Sequence, residues 1–159
     1  MDHFHASLAQ LASELVNGPP AGEAYMLNPG DPGLLRSLES LSATDASRLP
    51  PNGAAPIVAH VDHVCYGLEL MNRWSAGEPD PWSAADWTAS WKRTSVTDEE
   101  WSALRARLRE TTSGWHRFLA EPRAMSASEL NGVIGSIAHF AYHLGSIRQI
   151  DRSLRGPHA

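Results

Sequence analysis

Cysteine and lysine are nearly absent from this sequence. Cys65 is the one cysteine in 159 residues, which excludes an internal disulfide and any cysteine-based zinc cluster. Lys92 is the one lysine, and 13 basic against 18 acidic residues leave a formal net charge of -5. Basic side chains that sparse give no electrostatic footprint for nucleic acid. No run of about 18 apolar residues suggests a membrane span. The opening MDHFHASLAQL has neither the basic nor the apolar region of a signal peptide. There is no H-E-x-x-H, no G-x-G-x-x-G, no Walker loop and no Glu-x-x-His pair of the di-iron kind. Strand-like alternation of useful length and internal repeats are missing too. The expectation is a cytoplasmic protein that binds neither membrane nor nucleic acid, folded as one domain over residues 1–159.

Helical periodicity is what the sequence does contain. Phe4, Leu8, Leu11 and Leu15 form one stripe that ends at Asn17 and Gly18, where two prolines prevent continuation. A short helix fits 32–41, with Leu34, Leu35, Leu38 and Leu41 apolar. A second long helix fits 55–74, entered through Pro56 and striped by Ile57, Val61, Val64, Leu68 and Met71. Thr97 with Glu100, and Ser126 with Glu129, are capping boxes that open two more. The first of these carries Trp101, Leu104, Leu108, Thr112, Trp115 and Leu119; the second runs to about Leu154. The spacing therefore predicts an all-α four-helix bundle with long connections between helices 1 and 2 and between helices 2 and 3. The second connection holds Trp82, Trp87 and Trp91, which predicts that it lies back on the helices instead of standing in water.

On the last helix His139 and His143 sit one turn apart, about 40° around the axis. Gly132, Gly135, Ser136 and Ser146 share their wedge and would leave space beside the rings. Leu130, Val133, Ile134, Ile137, Ala141 and Leu144 make an apolar back face that only Arg148 interrupts; that arginine is expected to reach solvent, the alternative being a salt bridge across a dimer interface. On the second helix His60 lies in the middle of the apolar stripe and His63 at its edge. Three neutral imidazoles from two helices can hold a divalent ion and leave positions open. Spacing alone leaves that site and an ordinary set of core histidines both possible. Cys65 and Asp62 project away from His60. Tyr66 and Tyr142 are available proton donors that equally suit packing. Asp2, His3 and His5 at the chain start, His116 and His158 are expected to be surface residues.

The combination of IVAHVDHVCYGL with the later HFAYHLGSIRQI resembles the DinB-like superfamily of metal-binding four-helix bundles. The resemblance lies in the order of the histidines, the H-x-x-x-H spacing and the tail with Gly145, Ile147, Arg148 and Gln149, and it spans nearly the whole chain. It implies that His60, His139 and His143 hold a divalent metal, usually nickel or zinc, with His63 as the competing choice for His60. It implies a homodimer and a small-molecule substrate. It also implies the chemistry of a metal-dependent transferase or hydrolase working with a low-molecular-weight thiol such as bacillithiol, mycothiol or glutathione. The alternative is a non-catalytic, stress-related metal protein with a relic or sealed site. An open, substrate-sized pocket beside the histidines would favour the enzyme; a metal sealed under the tryptophan-rich connection would favour the alternative.

Overall fold

A computed structural model describes residues 2–157, so His158 lies outside it. Among the described residues six α-helices form: α1 (Asp2–Asn17), α2 (Gly33–Glu39), α3 (Ala43–Ala46), α4 (Ile57–Ser75), α5 (Asp98–Ala120) and α6 (Ala127–Ile150). Among the described residues there is no strand, so the chain is all-α. Both capping boxes are made: Thr97 and Ser126 accept from the backbone N–H three residues on, and Glu100 and Glu129 reach back to the cap. These pairs satisfy amide donors that the first turn leaves without partners. The short helix expected over 32–41 is α2, and a further short helix, α3, follows it because Ser42 starts a new turn by accepting from the Asp45 N–H.

Pro56 caps α4, and α1 stops where Gly18 turns to a φ of +87°. A Cβ at Gly18 would lie 2.0 Å from the Asp31 carbonyl oxygen, and one at Gly33 2.3 Å from the Gly18 nitrogen. Both also carry positive φ, so two glycines back to back let α2 start against the end of α1. Glu14, fully buried, holds the following loop by accepting from the backbone N–H groups of Tyr25, Met26 and Leu27 at 2.6–3.1 Å.

Each of the four long helices packs against two others: α4 on α5 and α6, and α1 on α5 and α6. Going along both helices, Asp62 meets Arg107, Asn72 meets Thr111 and Trp74 meets Phe118, so α4 and α5 run parallel. A parallel neighbour requires the chain to return the full length of α4, about 28 Å, which explains the long crossover 76–97. The expectation that this crossover folds back is met. Trp82 packs on Trp74, Trp87 on Tyr66 and His63, and Trp91 on His60, His63 and His143.

The core draws on the expected stripes: Leu8 and Leu15 of α1, Val61, Val64 and Leu68 of α4, Trp101, Leu108 and Leu119 of α5, Val133 and Leu144 of α6. Several sequence expectations need correcting. Phe4 and Ile134, assigned to apolar faces, are 42% and 48% exposed. His5 is buried, and its Nε2 accepts from the Arg123 backbone N–H at 3.1 Å. Arg148 does not extend into solvent but is mostly covered; its guanidinium donates to the buried Asp31 carboxylate at 2.6 Å, tying the end of α6 to the start of α2.

Candidate metal centre

The first half of α4, Ile57 to Cys65, is buried without interruption. Different neighbours cover its sides: Arg107 of α5 bonds Asp62, while α6 and the crossover meet His60 and His63. Because α6 runs antiparallel to α4, His60 pairs with His143 and His63 with His139. Four imidazoles thus meet between two helices.

Three of them converge through the same atom. The Nε2 atoms of His63 and His139 are 3.1 Å apart, and those of His143 and His139 3.0 Å. His63, His139 and His143 each offer one ring nitrogen, all within 4.8 Å of one another, close enough to share a metal ion. Two nitrogens bound at about 2.0–2.1 Å to one zinc at angles between 90° and tetrahedral stand about 3 Å apart, so the observed edges suit a divalent ion. His60 is placed differently from the expectation. Its Nδ1 lies 2.9 Å from His143 Nδ1, on the side of that ring turned away from the three Nε2 atoms. His63, expected at the edge of the stripe, is buried and inside the group.

The crossover fixes the tautomer of His63. Ser90 Oγ donates its one proton to the Trp87 carbonyl at 2.7 Å, so it can only accept from His63 Nδ1, also at 2.7 Å. A neutral His63 with its proton on Nδ1 presents a lone pair at Nε2. Neutrality is enforced by burial. It pushes His143 down to about 3, aided by His139, His60 and His63 in that order. Burial likewise pushes His63 down to about 4, with His139 and His60 lowering it further and Asp62 opposing them. His60 and His139 are lowered by burial as well.

Protons satisfy this arrangement poorly. His139 Nε2 faces both other Nε2 atoms at 3.0–3.1 Å, and with His63 and His143 offering lone pairs there, a single His139 N–H would have to be shared between two acceptors. A cation between the rings would satisfy all three lone pairs at once, and the donor set, three imidazoles with no thiolate or carboxylate, suits a divalent transition metal. Two of the three remaining nitrogens are already engaged as metal-bound histidines require, His63 Nδ1 by Ser90 and His143 Nδ1 by His60.

One side of the group is open. A cavity of about 240 Å3 has His139 in its wall, with Trp82 and Trp87 of the crossover and Gly67, Gly132 and Gly135 of the helices. The small residues that the sequence placed beside the histidines do border empty space: a Cβ at Gly132 or Gly135 would meet nothing within 4 Å. A larger cavity of about 330 Å3 among α1, α5 and α6 shares Leu68, Ser136 and Phe140 with it but holds none of the four histidines.

Cys65 is fully buried and its thiol is pushed up to about 12, chiefly by burial, so it is no nucleophile at neutral pH. Tyr142 is 67% exposed with its ring beside His143, and the Tyr66 hydroxyl accepts from the Asp86 N–H. Sequence reasoning missed Ser90 altogether. Three residues between tryptophans carry no pattern that points to a particular histidine.

No family model, curated protein or solved structure matches the chain.

Proposed function

We propose that this chain is a divalent-metal enzyme of the DinB-like kind, a four-helix bundle whose metal is held by His63, His139 and His143. The observation that carries the proposal is the convergence of three Nε2 atoms, all within metal-sharing distance, of which at most one contact at a time can be a well-directed hydrogen bond. A metal bound there would act as a Lewis acid, or lower the pKa of a bound thiol or water so that the anion forms at neutral pH. The protein's own groups do the positioning. Ser90 holds His63 in the tautomer that offers Nε2, and His60 would do the same for His143 when its Nδ1 accepts from the Nδ1–H of that ring. Trp91, stacked on His63 at 4.4 Å, keeps water from that ring. His139, the one ligand in the cavity wall, marks the side from which a substrate arrives. Zinc and nickel both accept thiolate as a further ligand, which supports a transferase using a small thiol. The open cavity favours this over a relic or sealed site.

Metal analysis of untagged protein tests the reading. One equivalent of zinc or nickel per chain is expected, lost on His63→Ala, His139→Ala or His143→Ala. His60→Ala should keep the metal but weaken its binding roughly 10- to 100-fold. If His60→Ala abolishes binding while His63→Ala keeps it, the ligand set is His60, His139 and His143 instead. If the unaltered chain takes up no metal, the proposal fails.

A further inference from the structure

The wall of the histidine cavity limits what can enter it. His139 is its one titratable side chain, and no residue lining it carries a fixed charge. Trp82 and Trp87 form one side and the glycines of α6 the other. The hydroxyl in the wall, Ser136, already donates to the Val133 carbonyl at 2.7 Å. A carboxylate or ammonium held against the indole and glycine walls, away from the His139 end, loses part of its hydration and gains no counter-charge, which is unfavourable. A polyol would turn part of its hydroxyls toward walls that offer them no partner. A flat apolar body gains contact with two indoles. Its way to His139 passes Gly67, where a Cβ would sit 3.8 Å from the imidazole and 3.9 Å from the Trp87 ring.

We infer that the cavity takes a small uncharged molecule with an aromatic or alkyl body, lying between Trp82, Trp87 and the α6 glycines with its polar end at His139. The inference rests on the metal reading only for that polar end. It narrows the thiols that the DinB-like resemblance implies. Glutathione and bacillithiol carry carboxylates and mycothiol is a polyol, so none of them matches this wall. An uncharged aromatic thiol does.

The test is calorimetric titration of the full chain, zinc-loaded and chelator-treated, with toluene, benzyl mercaptan and glutathione. Toluene is expected to bind both forms, benzyl mercaptan the zinc form more tightly, and glutathione neither. Gly135→Leu puts a side chain into open space on a helix and should weaken toluene binding at least about tenfold, a shift of 1.4 kcal/mol, with metal content unchanged. Gly145→Leu, also free of neighbours within 4 Å but outside the cavity, should leave it unchanged. Glutathione binding better than toluene and benzyl mercaptan, or full toluene affinity in Gly135→Leu, would overturn the inference. Toluene binding in a chain that holds no metal would uphold the cavity and sink the metal reading instead.

Discussion

At the scale of residues, the site depends on four histidines kept neutral by their surroundings. Their shifts have a consequence for acid stability. In the unfolded chain a histidine titrates near about 6.5, whereas His63 and His143 titrate at about 4 and about 3 when folded. Between these values the unfolded chain binds more protons, so stability rises with pH across the window. It is fully present above about 6.5 and drains away as pH falls toward the folded values. The lowered His60 and His139 act in the same direction. Chelator-treated protein should therefore show a urea midpoint that drops from pH 7 to pH 4. A midpoint that is flat or rises on acidification would contradict neutral burial of these rings. The residue scale is also where the sequence was ambiguous. His60 stood out by its place in the apolar stripe, but every residue from Ile57 to Cys65 is buried. When a helix is covered on all sides, centrality in one stripe no longer separates a ligand from its neighbour.

At the scale of elements, the helices were legible because their determinants are local. Thr97 with Glu100 and Ser126 with Glu129 announce α5 and α6 within four residues, and Gly18 with its following prolines ends α1. The crossover 76–97 was legible only as something that must fold back, since three tryptophans are costly to leave in water. Its specific task, supplying Ser90 to His63, was not. That task makes a prediction. Ser90→Ala removes the acceptor that fixes His63 and should lower zinc affinity about tenfold or more, measured by competition against a chromogenic chelator. Ser90→Thr, which keeps the hydroxyl, should restore most of it. Equal affinity in all three proteins would mean that the crossover only covers the site.

At the scale of the whole molecule, one buried ion pair joins segments far apart in sequence. Arg148 near the end of α6 donates to Asp31, whose carboxylate also accepts from the Gly33 N–H at 2.8 Å. Asp31 is 3% exposed, so Asp31→Ala leaves a guanidinium without its partner and should cost about 3–5 kcal/mol. The urea midpoint measures this, and adding Arg148→Met to the same chain should recover much of the loss. No recovery would mean that the capping of Gly33, not the ion pair, is what Asp31 contributes.

The sequence by itself determined the helices, their caps, most of the core and the presence of histidines on two of those helices, because hydrophobic period and capping act over a few residues. Only the tertiary structure decided that α4 and α5 run parallel, that α6 opposes α4, and so that the Nε2 atom of His63 meets those of His139 and His143 while His60 meets the Nδ1 of His143. Which nitrogen faces which is set by how two helices and a returning crossover meet. That meeting depends on contacts dozens of residues apart, such as His63 with His139 and with Ser90, for which local pattern carries no signal.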